Sequence, residues 1–236
     1  MATRNAHKAG EIRVILGDRF RFLTLNDFSG APEIIEDAGT FAGNATKKAV
    51  ELARWLPRPF PGSRIQDAGP DFVLADDSGL EVDALHGAPG VLSARFAAPD
   101  RKAESVSANS PDADNNAKLL RLLKDVPPEK RTARFHCVVA LTPGLSGRIE
   151  VASPVCYADE FEMQTQLFDS VCEGRVSFEP RGQNGFGYDP LFVPDGYEQT
   201  FAELGEGVKN QLSHRGQALA KLKRWLDTVE AGRQAG

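Results

Sequence analysis

An acidic motif in the first half of the chain, residues 75–96 (ADDSGLEVDALHGAPGVLSARF), most constrains what this chain can fold into. The apolar run FVLA precedes it and predicts a short strand, so we expect Asp76 and Asp77 to lie where that strand emerges into a loop. Hard cations such as Mg²⁺ prefer oxygen ligands and are often held by one or two carboxylates plus substrate phosphates. The motif therefore suits a divalent-metal site, although an Asx turn explains it equally well.

Length and composition limit the classes of protein to consider. A chain of 236 residues can bury a core as one domain or as two closely joined lobes. Hydrophobic residues make up 41% and charged residues 26%, as is ordinary for a soluble globular protein. No apolar run approaches the roughly 18 residues that span a bilayer, and the N-terminus lacks the layout of a signal peptide. We therefore expect a cytoplasmic protein with no membrane partner.

Cysteine spacing and net charge exclude further classes. Cys137, Cys156 and Cys172 are odd in number and widely spaced, which argues against a disulfide framework and against a zinc cluster. The net charge of −5 gives no general attraction to nucleic acid. A phosphate-bearing partner must therefore meet a local basic site.

The N-terminal segment TRNAHK offers such a site. Apolar residues at helical spacing predict a helix that begins near Ala6. Residues 3–8 then form a loop at a helix N-terminus, where free backbone N–H groups and the helix dipole favour an anion. Arg4 and Lys8 add positive charge. A solvated basic terminus is the alternative.

The remaining elements are predicted from hydrophobic periodicity and from the positions of capping residues, proline and glycine. Helical spacing predicts helices at 45–56, 117–123 and 213–229, the last with Ser213 as its N-cap. Apolar runs predict strands at 135–141 and 149–155. Polar, irregular or proline-rich composition predicts loops at 57–70, 99–111 and 157–170.

A glycine-rich stretch in the second half, residues 173–192, carries a second group of candidate residues. Its glycines let the backbone approach a ligand, while Phe186 and Tyr188 supply aromatic faces and Asp189 a carboxylate. Such a loop holds a nucleobase by stacking and hydrogen bonding, or it is a glycine-rich connection with core aromatics. Both alternatives stay open on the stretch alone.

His214 and Arg215 follow Ser213 and so fall in the first turn of the last helix. Cations there oppose the helix dipole, which suggests that they act on a ligand. Exposed first-turn residues of no function are equally compatible with the pattern.

Four motifs occur in order along the chain: TRNAHK, ADDSGLEVDALHGAPGVLSAR, GFGYDPLF and SHRGQAL. Together they resemble the inosine triphosphate pyrophosphatase (Ham1-like) family over nearly the whole chain. The resemblance implies an α/β fold: a two-lobed single domain, residues 1–236, around a mixed twisted β-sheet with flanking helices and a central substrate cleft. It also implies a homodimer. The implied activity is Mg²⁺-dependent hydrolysis of dITP, ITP, XTP and dXTP to the monophosphate and pyrophosphate, which cleanses the nucleotide pool.

The resemblance assigns roles to individual residues. Asp77 corresponds to the general base and metal-linked carboxylate, and Glu36 to a second metal-side acid, with Asp37 as its rival. The implied substrate-binding residues are Thr3, Arg4, Asn5, Ala6, His7, Lys8, Ser78, Phe186, Gly187, Tyr188, Asp189, Lys209, His214 and Arg215, with Lys48 and Arg95 as further pocket positions. Residues 3–8 would bind phosphate, and His214 and Arg215 would recognise the purine.

Two positions depart from the family pattern. Only Met1 and Ala2 precede Thr3, where relatives have a short apolar strand, which predicts a more loosely held phosphate loop. Gly43 stands where relatives tend to carry an acid, so one possible metal-side or structural carboxylate is absent.

Two rival functions stay open. A Maf-like pyrophosphatase would act on other nucleotides, and a protein of the same fold could bind a nucleotide without turnover. A P-loop ATPase is excluded because the chain has no GxxxxGK[ST] segment.

Overall fold

The computed structural model describes residues 1–56, 72–98, 109–144 and 164–234. In chain order its helices and strands are α1 (Ala6–Leu16), α2 (Phe41–Trp55), β1 (Phe72–Val82), α3 (Asp112–Leu122), β2 (Thr132–Pro143), β3 (Gln166–Val176), β4 (Phe192–Pro194), α4 (Phe201–Leu212) and α5 (His214–Gln234). Short 3-10 helices lie at Leu25–Asp27, Asp83–Leu85, Gly90–Arg95 and Pro128–Lys130. Every helix within these described ranges is too short or too polar to cross a bilayer.

The strands form one sheet in the order β1-β2-β3-β4, which confirms the α/β class. The Val176 amide donates to the Arg131 carbonyl, while Thr142 and Thr165 share a hydrogen bond between their hydroxyls, so β2 and β3 run antiparallel. β3 and β4 also pair antiparallel. The family resemblance implies a mixed sheet, and the strands that the structure describes form an antiparallel one.

The predicted helices are confirmed, and capping residues explain where they begin. Asn5 caps α1, whose start at Ala6 matches the prediction. Thr40 accepts from the Gly43 amide at 3.0 Å, so α2 begins four residues before the predicted start at 45. Ser213 accepts from the Gly216 amide at 3.1 Å and is the predicted cap of α5.

Strand β1 is longer than the sequence predicted. It continues through the acidic pair to Val82, so Asp76 and Asp77 lie within a strand and not in a loop or an Asx turn. The physical reason is the alternation that follows them, in which Leu80 and Val82 are fully buried. An acidic pair is a weaker signal than a buried apolar face.

Other predicted loops have mixed outcomes. Residues from Gln166 onward belong to β3, so the loop prediction for 157–170 is wrong there. Four predicted stretches lie outside the described residues: 157–163 of that loop, the predicted loop at 57–70, the predicted strand at 149–155, and residues 99–108.

Contacts divide the chain into two compact units, corresponding in number to the two predicted lobes. The first unit comprises Met1–Asp77 and Val138–Phe168, and the second comprises Ser78–Cys137 and Asp169–Gly236. Buried side chains of α1, α2 and β1, among them Ile12, Leu52 and Val73, form the core of the first unit. Leu80, Leu119, Phe135, Phe192 and Phe201 belong to the core of the second unit.

Candidate active site

In the first unit, two carboxylates converge on one ammonium group. Glu36 Oε1 lies 2.9 Å and Asp77 Oδ1 lies 3.4 Å from Lys48 Nζ. Asn44 donates to the other oxygen of Asp77 at 3.0 Å. Lys48 is only 7% exposed, so its α2 position is not a solvated face. The structure therefore brings three predicted residues, Glu36, Lys48 and Asp77, together in one ion-pair network, in which Lys48 and Asp77 are buried and Glu36 is partly exposed.

The environment shifts the pKa values of this network. Burial raises the pKa of Asp77, and Glu36 adds to that shift, while Lys48 and Lys8 oppose it. Burial alone would lower the pKa of Lys48, but the nearby charges of Asp77, Glu36 and Asp76 outweigh it and raise that pKa. Lys48 therefore stays charged, and Asp77 takes up a proton more readily than an exposed aspartate does.

The rivalry between Glu36 and Asp37 has a clear geometric outcome. Asp37 lies 2.6 Å from Lys47, and its side chain is 64% exposed. That hydrogen bond to Lys47 holds the pKa of Asp37 below its usual range. Glu36, in contrast, binds the ammonium that Asp77 shares. Glu36 is therefore the acid placed beside Asp77.

The donor set fits a hard dication that shares its coordination sphere with phosphate. Among the described residues, no group of three or more His, Cys, Asp and Glu side chains is placed to hold a metal. Magnesium commonly uses only one or two carboxylates, with water and phosphate oxygens completing its shell. The pair Glu36 and Asp77 supplies that number and already surrounds a cationic centre, the Lys48 ammonium.

Gly43 is tied to the packing around α2. A Cβ atom there would lie 2.8 Å from the Ala38 Cβ and 3.1 Å from the Thr40 hydroxyl. Because Thr40 also caps α2 through the Gly43 amide, a side chain at this position requires the preceding loop to move. The missing acid is thus coupled to a close approach of residues 38–40 to the helix.

The predicted phosphate loop lies in the same unit and is largely exposed. Lys8 Nζ is 3.0 Å from Asp76 Oδ2, next to Asp77 in the chain. The expectation of free N–H groups at the start of α1 is wrong for His7 and Lys8, because the Asn5 side chain accepts from both at 2.9 and 3.1 Å. The Asn5 side-chain oxygen takes the place that water or an anion would occupy at these two amides. Positive charge, more than free amides, is what this loop offers an anion.

The rest of that loop is fixed by backbone contacts. Arg4 donates to the Ala31 carbonyl at 2.8 Å. The Ala2 amide donates to the Leu74 carbonyl of β1 at 2.7 Å, and the Leu25 amide donates to the Thr3 carbonyl at 3.2 Å. Backbone hydrogen bonds therefore hold the start of the loop even though residues 1–5 form no strand.

In the second unit, the loop of residues 186–189, here called the FGYD loop, is organised around Asp189. This residue is 2% exposed, and its Oδ2 accepts from Lys209 Nζ at 2.6 Å and from the Phe186 amide at 2.8 Å. Gly185 has a φ of +78°, and a Cβ there would lie 2.1 Å from the same oxygen. Gly185 thus makes room for the Asp189 carboxylate, a role distinct from the predicted close approach to a ligand.

Two cations lie near the Phe186 ring. Lys209 Nζ is 4.5 Å and Arg215 Cζ is 5.6 Å from its centroid. Both distances are within cation–π range. Arg215 also donates to the Ser78 hydroxyl at 2.8 Å, which brings a fourth predicted site residue into the group.

His214 and Arg215 are not exposed first-turn residues. They are 4% and 2% exposed, and the His214 ring stacks on Phe135 at 4.6 Å with an interplanar angle of 10°. Two donor-bearing side chains are thus buried at the positive end of α5, where the charge of Arg215 is opposed by the helix dipole. Such placement is costly and provides pre-oriented hydrogen-bond donors.

One predicted substrate residue, Tyr188, has a structural partner of its own. Tyr188 is buried and its hydroxyl donates to the Ser93 carbonyl at 2.9 Å, so it anchors the loop instead of offering an open aromatic face. Burial raises the pKa of Tyr188, and the charge of Asp112 adds to the rise. Arg95 lies in the second unit at the end of the 3-10 helix Gly90–Arg95.

Sequence reasoning did not assign Asn44, the hydrogen-bond partner of Asp77. A signal was present, because Asn44 and Lys48 are four residues apart on α2 and share a face with small apolar side chains. Polar residues at this spacing on an apolar face predict a buried polar network. Asp76 was noted only as half of the acidic pair, and its partner Lys8 comes from a distant part of the chain.

Comparison with known proteins gives matches along nearly the whole chain. Residues 1–225 match the Ham1 family. The dITP/XTP pyrophosphatase of Opitutus terrae is 41% identical over 232 residues, covering 95% of this chain and 96% of that protein. That of Desulforamulus reducens is 43% identical over 230 residues, covering 97% and 95%. A solved HAM1 protein from Coxiella burnetii has a TM-score of 0.70 at 35% identity, covering 96% of each chain.

Proposed function

Because the chain belongs to the Ham1 family, as its motifs predicted, we propose that it is a nucleoside triphosphate pyrophosphatase that cleanses the nucleotide pool. Its substrates are the noncanonical purine nucleotides dITP, ITP, XTP and dXTP, which it hydrolyses to the monophosphate and pyrophosphate. The observation that carries the proposal is the convergence of Glu36 and Asp77 on one buried cationic centre. Full-length similarity to dITP/XTP pyrophosphatases supports the substrate class.

The proposed cofactor is Mg²⁺, held by Asp77 and Glu36. When bound, Mg²⁺ neutralises charge on the triphosphate and makes the phosphorus more electrophilic. Asp77 orients the attacking water or accepts its proton, and the raised pKa of this carboxyl suits a base. General-base catalysis of this kind contributes about 10²–10⁴ in rate.

The leaving group is pyrophosphate, so the outer phosphates need positive charge. We assign them to the loop of residues 3–8, with Arg4 and Lys8 as the charged groups. Lys8 already binds Asp76 at 3.0 Å, which holds its ammonium near the proposed metal ligands of the same unit. Positive charge there stabilises the charge that develops on the leaving oxygens.

We assign recognition of the nucleobase to the aromatic ring of Phe186 and to the hydrogen-bond donors of His214 and Arg215. Hypoxanthine and xanthine carry a 6-keto oxygen that accepts from these donors, whereas the 6-amino group of adenine would face them with hydrogen atoms of its own. Sites built on buried hydrogen bonds reject a mismatched partner by about 10⁴-fold. Guanine shares the keto group, so rejection of GTP requires a close fit at position 2 of the base.

The test is a substrate panel of ITP, dITP, XTP, ATP, GTP, dTTP and UTP, with pyrophosphate release measured in Mg²⁺ and in excess EDTA. We expect release from ITP, dITP and XTP in Mg²⁺ only. Preference for dTTP or UTP would identify a Maf-like activity instead. Nucleotide binding by calorimetry without pyrophosphate release would identify a binding protein.

We also propose that residues 1–236 act as one pyrophosphatase domain and that two copies form the homodimer implied by the family resemblance. Light scattering of the purified chain measures its mass directly. A mass of one chain would contradict the dimer without affecting the proposed chemistry.

A further inference from the structure

Both backbone groups of Gly187, in the FGYD loop, are held by helix α3. The Gly187 amide donates to Asp112 Oδ2 at 2.6 Å, and the Gly187 carbonyl accepts from Asn116 Nδ2 at 3.0 Å. Asp112 and Asn116 are four residues apart and so project from the same side of α3. One helix therefore fixes the peptide groups on both sides of a single residue. We call this arrangement the Gly187 clamp.

The next residues of α3 hold a different part of the second unit. Asn115 accepts from the Ala97 amide at 2.9 Å and donates to the Ala94 carbonyl at 3.3 Å. Lys118 donates to the Phe96 carbonyl at 2.7 Å, and its ammonium lies 4.6 Å from the Phe96 ring centroid. Helix α3 thus fastens the C-terminal end of the acidic motif with one set of side chains and the FGYD loop with another.

The clamp acts next to the residue proposed to stack on the base. Phe186 directly precedes Gly187, and its ring lies within 4.5 Å of Lys209 Nζ and 5.6 Å of Arg215 Cζ. A glycine at φ +63° with no Cβ contact within 4 Å does not fix its own backbone. The Asp189 carboxylate holds the Phe186 amide from within the loop. The clamp holds the next residue, Gly187, from outside the loop and so limits where the Phe186 ring can lie.

The burial of Asn116 in the interior of α3 indicates a specific role, because an asparagine there does not stabilise the helix in general. Asparagine is a poor helix former, and a buried amide is costly unless it is hydrogen-bonded. Asn116 is nevertheless 9% exposed in the interior of α3. The negative charge of Asp112, in the first turn, also interacts favourably with the helix dipole. Asp114 in the same turn makes the same favourable interaction.

We propose that Asp112 and Asn116 are positioning residues that set nucleobase preference by fixing Gly187 and, through it, the Phe186 ring. This inference rests on the proposed function, since it names what controls the base side of that site. Neither residue is assigned a contact with substrate. Their effect is on how well the base is held, not on the chemistry at phosphorus.

The variants are Asp112→Ala and Asn116→Leu, with Asp114→Ala as the matched control that removes the same charge from the same helical turn. Asp112→Asn keeps a side-chain oxygen that accepts from the Gly187 amide. We expect the first two variants to raise KM for ITP about tenfold with little change in kcat, and to lower the preference for ITP over ATP. Asp112→Asn should restore most of the preference, and the control should leave it at the wild-type value.

Melting temperatures separate positioning from stability. If Asp112→Ala and Asp114→Ala lose equal stability and show the same kinetics, the clamp has no role in recognition. Unchanged KM and unchanged preference in Asn116→Leu, in a folded protein, would also overturn the proposal. A loss of preference that Asp112→Asn rescues supports it.

Calorimetric binding of IMP measures the base side without turnover. We expect weaker IMP binding in Asp112→Ala and Asn116→Leu, and unchanged binding of inorganic tripolyphosphate. A wild-type protein that releases no pyrophosphate from ITP would overturn the proposed function, and IMP binding would then still decide the clamp. Equal IMP binding by wild type and both clamp variants would overturn the clamp alone.

Discussion

Two clusters of charged side chains, one in each compact unit, have opposite balances of carboxylates and cations. The carboxylate cluster of the first unit consists of Lys8, Glu36, Lys48, Asp76 and Asp77. The aromatic cluster of the second unit consists of Phe186, Asp189, Lys209, His214 and Arg215. Three carboxylates face two lysines in the first, whereas one carboxylate faces two cations in the second.

The difference in charge supports the ligand proposed for each cluster. Buried ion pairs pay a desolvation penalty that their mutual attraction does not always repay, so an excess of one charge is kept only where something compensates it. Excess negative charge in the carboxylate cluster favours a dication. Excess positive charge beside Phe186 offers hydrogen-bond donors to an electron-rich oxygen of a base.

The most severe way to break the carboxylate cluster is Asp77→Asn. The amide still accepts from Asn44 but has no charge to hold a metal or accept a proton, so pyrophosphate release from dITP should fall by about 10²–10⁴. Circular dichroism and melting temperature should show an intact fold. Asp37→Asn, an exposed neighbour paired with Lys47, is the control and should retain activity. Full activity in Asp77→Asn would remove this residue from the mechanism.

Lys48→Met tests whether the carboxylates need a cation between them. Without the ammonium, Glu36 and Asp77 are left facing each other in a buried site, and removing one partner of a buried ion pair costs about 3–5 kcal/mol. Urea unfolding without metal should show that loss, and Mg²⁺ should recover part of it by binding the folded state.

The control for that measurement is Lys47→Met, one residue earlier on α2. Lys47 pairs with the exposed Asp37, so its removal should change stability little and should not create a dependence on Mg²⁺. If Lys48→Met and Lys47→Met behave alike, the buried network contributes no more than a surface pair, and the contrast between the clusters is lost.

The aromatic cluster is tested most finely at His214. His214→Phe keeps a ring that stacks on Phe135 but removes the imidazole donors, so stability should hold while the preference for ITP over ATP falls about tenfold. His214→Ala should lose the same preference and also stability, because it leaves a cavity. Inhibition by tripolyphosphate should not change in either variant. An unchanged preference would show that the base is recognised elsewhere.

The elements predicted from sequence were those with strong local signals. Helices α1, α2, α3 and α5 followed from apolar spacing and caps, and β2 from its continuous apolar run. Strand β3 was missed because its outward face mixes the apolar Leu167 and Val171 with charged residues, while its inward face includes Ser170 and Gly174. Its sequence therefore shows no clear apolar–polar alternation. Strand β1 was predicted too short because the acidic pair was taken as the end of the apolar pattern.

Motif order alone identified the family, because four motifs in one order are specific even when each is ambiguous. The site residues that the resemblance implies stay predictions. Local chemistry also determined the cap Ser213, since capping acts within a few residues. The Asn5 cap of α1 was not predicted.

Only the tertiary structure decided which charges meet. It paired Lys8 with Asp76, placed Glu36 instead of Asp37 on Lys48, and buried His214 and Arg215. It also joined α3 to Gly187 across more than seventy residues of chain. Such contacts depend on side chains from distant segments meeting at hydrogen-bond distance, and no local pattern records that distance.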